Sequence, residues 1–406
     1  MDLVWSTGDR AFRGEVRAFL DEHLTDDLRD AGRWMTSVYA DHARALAWQK
    51  KLHARGWAAP AWPREYGGAG WSVSQRYIFA RERVAAGAPP VSPMGIQMCG
   101  PAIIGFGSKA QKTYFLPRML SGEHLWCQGY SEPGAGSDLA ALQMCADDDG
   151  DALIVTGQKS WSTHAHIANW GFFLVRTGRF ERPQQGITFL LVDMGSEGVG
   201  VRPIISPTGE HIQNEIFLDH VRVPKANIVG APGEGWTVAK YLLEFERGGV
   251  AYAPELQERL GQIEAAAEAA PGDDGRPFAR DPRFQRRLAD ARVRLAALEI
   301  YEFRAMSEAA QGRSPGLSAS VMKICGTELQ QLTTELGLLV AGPHGIAYQP
   351  AAGLPGGPVV FPAATTLSGS RFAAVAPLRY LNERAGSIYA GSNEIQRNII
   401  AKALGL

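Results

Sequence analysis

The feature that most constrains this chain is a double change of hydrophobic period. The pattern is helical from Asp9 to about Glu123, short and β-like from about Trp126, and helical again after Gly233-Glu234-Gly235. That order is not the strand–helix alternation of a doubly wound nucleotide-binding sheet, so a Rossmann-type fold is disfavoured. It predicts an α+β chain that is mostly α. Its parts are an N-terminal helical domain (1–125), a small middle β-barrel or sandwich domain (126–235) and a C-terminal four-helix bundle (236–406).

Local signals refine this division. Val38 to Arg55 reads as a helix stopped by Gly56, and a Ser72-x-x-Gln75 capping box opens a helix that ends near Gly87. Ala152–Thr156, Phe172–Arg176, Ile187–Asp193 and Glu215–Val223 read as strands. Long helical segments follow at 236–269, 283–311 and 317–341, with a last one ending at the C-terminus. Tyr348–Gly369, rich in Gly, Pro and Ala, reads as a long loop.

Composition excludes more than it identifies. With 41 Lys plus Arg against 42 Asp plus Glu, the chain has no long-range field to attract nucleic acid. Cys99, Cys127, Cys145 and Cys325 form no C-x-x-C pair, which speaks against zinc ribbons and for a reducing compartment. The first residues lack the pattern of a signal or transit peptide, and no window approaches 18 apolar residues, so a cytoplasmic protein without a membrane span is expected. No G-x-G-x-x-G opens a helix, and neither a P-loop nor H-E-x-x-H occurs. Gly312-Arg313-Ser314-Pro315-Gly316 matches G-x-S-x-G but follows a helical run, and is read as a helix terminus. The arginines 276, 280, 283, 286, 287, 292 and 294 read as a solvated face. His164 and His166 stand without a carboxylate or Cys cluster and are read as surface or packing residues, so no metal site is assigned.

Two segments have the composition of a cofactor cradle. Ser131-Glu132-Pro133-Gly134-Ala135-Gly136-Ser137-Asp138 lets backbone N–H groups approach a phosphate or a polar ring edge, although a tight turn uses the same residues. Gly157-Gln158-Lys159-Ser160-Trp161-Ser162-Thr163 places an indole two residues before a hydroxyl, where it could stack on a planar ring or serve as core. Together with AWPREYGGAGW, HVRVPKANIVG, GWTVAKYLLEFERGG and the C-terminal IYAGSNEIQRNIIA, these strings resemble the acyl-CoA dehydrogenase family over nearly the whole chain. The finer pattern is similar to the bacterial branch acting on long, branched, dicarboxylic or sterol side-chain thioesters.

The resemblance implies FAD between the β domain and the C-terminal bundle, with a coenzyme A thioester against one flavin face. It implies flavin contacts from Gln128, Tyr130, Ser131, Trp161, Thr163, Ser392 and Glu394, and places Gly136 and Ser137 near the pyrophosphate or substrate. It implies that Gly342 belongs to the segment reaching the FAD of a neighbouring subunit, hence a homo-oligomer, dimer or tetramer, with a heterotetramer as the variant. Leu338 and Leu339 stand near where many relatives carry a FAD-binding Gln. Electron-transferring flavoprotein is the implied electron acceptor.

Desaturation requires a base for the α-proton, a hydride acceptor for the β-carbon and donors for the thioester oxygen. Where the best-known members carry a Glu base before Gly-Thr or Gly-Ser, this chain has Ala390 before Gly391-Ser392. A second lineage carries the base immediately before an Arg on the first C-terminal helix, and that position is Glu246, followed by Arg247. Glu246 shares a helical face with Ala239, Leu242, Leu243 and Val250, where desolvation raises a carboxylate pKa; a structural ion pair is the alternative use of a buried acid. Arg247, Ala390, Gly391 and Ser137 are the implied substrate contacts, with the Ala390 N–H as an oxyanion donor. Competing readings are a flavin oxidase or monooxygenase on the same fold, and a non-catalytic or heteromeric partner chain.

Overall fold

The computed structural model describes residues 5–248, 251–272, 275–311, 316–358, 360–361 and 366–406, the side chains of 243–248 and 350 excepted. The N-terminal helices are α1 (Thr7–His23), α2 (Asp26–Arg33), α3 (His42–Arg55), α4 (Val73–Ala86), α5 (Gly100–Phe106) and α6 (Lys109–Ser121). Their ends are chemically written: Ser72 and Gln75 form the expected capping box, and Gly56 and Gly87 close α3 and α4 in the left-handed region. The helix expected from Val38 begins only at His42, because Asp41 accepts the Arg44 N–H as N-cap.

Among the described residues, β1 (Trp126–Gly129), β2 (Cys145–Asp149), β3 (Ala152–Thr163), β4 (Trp170–Arg176), β5 (Ile187–Asp193), β6 (Val199–Ile205), β7 (His211–Pro224) and β8 (Ile228–Val229) form one sheet. The order β6-β7-β3-β2 continues to β4-β5-β8 through a single pair, Cys145 with Arg176, and β1 lies parallel to β4. Period-two alternation explains how the two halves close on each other. Phe173, Val175, Leu190 and Val192 share a core with Val155, Leu218, Val221 and Val223 inside the β unit. The alternate residues Phe172, Leu174, Phe189 and Leu191 join the N-terminal helices.

The segment expected as one helix over 236–269 is two, α7 (Gly235–Gly248) and α8 (Ala253–Ala269). Pro254 sits in the first turn of α8, and buried Glu302 accepts the N–H groups of Tyr252 and Ala253 at 2.6 and 3.2 Å, a cap delivered from a distant helix. That helix is α9 (Pro282–Ala310), opened by Asp281 as N-cap; α10 (Leu317–Ala341) and α11 (Arg371–Glu383) follow, and α12 (Asn393–Ala403) closes the chain. Apolar residues of α8, α9 and α10, such as Leu256, Leu260, Leu295, Leu329 and Leu336, make the bundle core. Gly312–Pro315, four of the five G-x-S-x-G residues, lie outside the described residues; Gly316 precedes α10. Arg283, Arg287, Arg292 and Arg294 pair with Asp281, Glu335, Glu264 and Asp290.

Candidate active site

The β-domain half of the site is built on one buried ion pair. Lys159 Nζ lies 2.7 Å from Glu132 Oε1 and 3.1 Å from the Tyr130 carbonyl, with the side chains 0% and 7% exposed. Glu132 also accepts the N–H groups of Gln143 and Met144 at 2.6 and 2.9 Å, so its carboxylate is well supplied with donors. The Ser160 N–H donates to the Ser131 carbonyl at 2.9 Å. These bonds fasten the loop after β1 to the end of β3, bringing Tyr130, Ser131 and Glu132 beside Lys159 and Ser160. Burial pulls the Lys159 ammonium below its ordinary range, against the pull of Glu132.

Above this staple the surface is open. A Cβ on Gly134 or Gly136 would meet nothing within 4 Å, and Ser137 is exposed. Trp161 is 66% exposed with φ 62°, a sparsely populated conformation for a bulky residue. Thr163 is half-buried at the end of β3. An exposed indole and, on the loop fastened to its strand, uncrowded glycine backbone fit an isoalloxazine ring, which needs one apolar face and hydrogen bonds along its edge.

The C-terminal half is a turn pinned by amides. Gln396, fully buried, accepts from Ser320 Oγ at 2.8 Å and donates to the carbonyls of Ala390 and Gly391 at 3.4 and 3.2 Å. Asn393 Oδ1 accepts from Lys323 Nζ at 2.9 Å and Thr327 Oγ1 at 3.2 Å. Ser392 caps α12, and Glu394 is held below the usual carboxylate range by its own backbone N–H, then by Ser392. Ala390 and Gly391 are both left-handed, at φ 54° and 77°. The turn is referenced to the β domain through α11, where Asn382 Nδ2 donates to Glu210 Oε1 at 3.2 Å and to the Thr36 carbonyl at 3.0 Å.

Gly342 caps α10 at φ 55°, next to exposed Leu339 and Ile346. Glu246 and Arg247 fall in the last turn of α7, and their side chains lie outside the described residues. The sequence motifs single out positions in both turns but not the residues beneath them: Glu132, Lys159, Lys323, Asn393 and Gln396. The one available signal was Lys159, a long cation inside an otherwise β-forming run.

Residues 6–123, 127–221 and 233–405 match the N-terminal, middle and C-terminal domains of acyl-CoA dehydrogenase. Acyl-CoA dehydrogenase IpdE1 of Mycobacterium tuberculosis is 37% identical over 406 residues, covering 97% of both chains. The chain belongs to the acyl-CoA dehydrogenase family. Among solved structures, the ChsE4–ChsE5 complex of Mycobacterium tuberculosis is similar with a TM-score of 0.82 at 28% identity, over 100% of this chain and 99% of that one. The Tcur3481–Tcur3483 steroid ACAD has the same TM-score at 26% identity, over 100% and 99%. This acyl-CoA dehydrogenase is therefore an oxidoreductase of lipid metabolism from a flavoprotein family. Among the described residues, no helix is long and apolar enough to cross a membrane.

Proposed function

We propose that the chain is an FAD-dependent dehydrogenase that converts an acyl-CoA thioester to its trans-2-enoyl-CoA. The observation that carries this reading is the pairing of exposed Trp161 and half-buried Thr163 with the open Gly134–Ser137 backbone, fastened to one another through Ser160 and Lys159. Gln128, Tyr130, Ser131, Trp161, Thr163, Ser392 and Glu394 hold the flavin in this reading, and Gly136 and Ser137 face its pyrophosphate or the thioester. Bound FAD would accept the β-hydrogen as hydride. Glu246 takes the α-proton as base, Arg247 and Gly391 contact substrate, and the Ala390 N–H donates to the thioester oxygen as negative charge develops there.

The substrate class we infer is a thioester of a steroid-derived acyl group, on the likeness to a steroid ACAD. Two similar structures are two-component proteins, which favours an oligomer in which Gly342 reaches a neighbouring subunit's cofactor. Exposed Leu339, Ile346, Tyr348 and Leu354 supply apolar surface at that end of α10. We take the assembly to be a homo-oligomer, with a heteromer as the second reading, and electron-transferring flavoprotein as the acceptor. All four cysteines are free, in keeping with a cytoplasmic location.

The test is the visible spectrum of the purified chain with added FAD, followed by anaerobic addition of straight, branched, dicarboxylic and steroid-side-chain CoA thioesters. Bound oxidised flavin bleached by the steroid-derived class supports the reading. A chain that binds no FAD alone but does so with a second dehydrogenase chain supports the heteromer. Rapid oxygen consumption without an acceptor protein would make it an oxidase.

A further inference from the structure

We propose that Asn214 is a positioning residue that holds the Trp161–Thr163 turn in its FAD-facing conformation, and that His166 makes this hold depend on pH. The inference rests on the flavin reading above. It starts from the backbone. Trp161 and His164, at φ 62° and 59°, are two of the four non-glycine residues with positive φ among the described residues, and the register of β3 against β7 shifts between Lys159 and Ser162. Left-handed bulky residues cost about 1–3 kcal/mol each, so neighbouring contacts must over-determine such a turn.

Asn214, on β7 and fully buried, supplies those contacts. Its Nδ2 donates to the carbonyls of Ser162 at 3.0 Å and Ile212 at 3.2 Å, and lies 3.2 Å from His166 Nδ1. Its Oδ1 lies 2.6 Å from His211 Nε2. The His164 N–H reaches the Ile212 carbonyl at 2.8 Å, closing the turn on the same strand. Backbone carbonyls can only accept, so two of them fix which end of the amide is nitrogen. The remaining roles follow: His211 Nε2 carries a proton and donates, while the amide's second N–H is shared at 3.2 Å between the Ile212 carbonyl and His166 Nδ1, an arrangement that needs Nδ1 without a proton.

A proton on His166 Nδ1 therefore sets donor against donor at the group that holds Ser162. The His166 and His211 rings are stacked with centroids 3.9 Å apart, so a second charge there is also unfavourable. The groups facing this cluster are His211 on β7, His164 beside the turn, and Tyr39 and His42 before and at the start of α3; Tyr39 and His42 rings contact His164. Burial holds His164 at about 3, and burial then the His211 neighbour draws His166 below 6.5. The turn is thus ordered at neutral pH and loosened as the pH falls and His166 takes up its proton.

The test compares wild type, Asn214→Leu and His166→Asn at about pH 8 and about pH 5.5. It measures FAD affinity by fluorescence quenching, and backbone amide exchange over residues 160–165 in the chain without FAD. His166→Asn keeps an acceptor where Nδ1 stood and does not titrate. Expected results are a loss of FAD affinity of about tenfold or more for Asn214→Leu at both pH values, and a similar acid loss for wild type that His166→Asn lacks. Exchange at His164 should rise in parallel. Equal affinity and equal exchange in Asn214→Leu and wild type overturn the positioning role, and an unchanged acid loss in His166→Asn overturns the pH role. If wild type binds no FAD at any pH, the flavin reading fails, while the exchange measurement still decides whether Asn214 holds the turn.

Discussion

Two buried lysines lie beneath the two halves of the candidate site, and they are partnered differently. Lys159, under the Ser131–Asp138 loop, meets the Glu132 carboxylate at 2.7 Å. Lys323, under the Tyr389–Ser392 turn and 5% exposed, meets the neutral Asn393 Oδ1 at 2.9 Å. Both ammonium groups are pulled down by burial, Lys323 to about 8. Burial acts on both lysines, and each is fastened differently. In the β domain each charge depends on the other, whereas in the bundle the lysine is one of several donors to an amide network that Gln396 and Thr327 also hold.

The largest expected effect breaks the charged fastening. Lys159→Met strands Glu132 and should cost about 3–5 kcal/mol in denaturant unfolding, with loss of FAD binding. Gly391→Ala comes next: at φ 77° an added Cβ would meet Gln396 Nε2 at 2.6 Å, for a cost of about 1–3 kcal/mol by the same measurement. Lys323→Met should cost about 1–3 kcal/mol, since it removes the 2.9 Å donor to buried Asn393 Oδ1 and the Thr327 hydroxyl proton lies closer to the Lys323 carbonyl, at 2.8 Å. Its sharper signature is pH. With Lys323 at about 8 in the fold and 10.5 when exposed, the unfolded chain binds more protons between those values. Stability should therefore rise with pH across that window, and Lys323→Met should flatten the rise. The smallest stability effect is Trp161→Ala, within about 0.5 kcal/mol because the indole is exposed, while FAD affinity falls severalfold.

The same contrast explains what could be read in the sequence. Local chemistry was legible: the Ser72–Gln75 box, the Gly56 and Gly87 stops and the β-forming runs are each specified within a few residues. The break between α7 and α8 was not, because its cap is Glu302, about fifty residues further along the chain. β1 escaped notice because four residues show no period, and it pairs in parallel with a distant strand. Near the candidate site, exposed Trp161 and the open Gly134 and Gly136 backbone stand in strings that carry the family resemblance, whereas the Tyr130 ring of the same strings is buried against Phe172 and Phe189. Glu132 was hidden as one more polar turn residue, and Asn214 as a polar position in a strand, since burial there depends on partners that sequence spacing cannot supply.

The central claim is that Glu246 removes the α-proton in an FAD-dependent desaturation. The most direct measurement is anaerobic stopped-flow bleaching of the bound flavin by the preferred acyl-CoA, in wild type and Glu246→Gln. The account predicts rapid bleaching in wild type and a rate at least about 10²-fold lower in the variant, with FAD still bound. Bleaching of Glu246→Gln at the wild-type rate would contradict it.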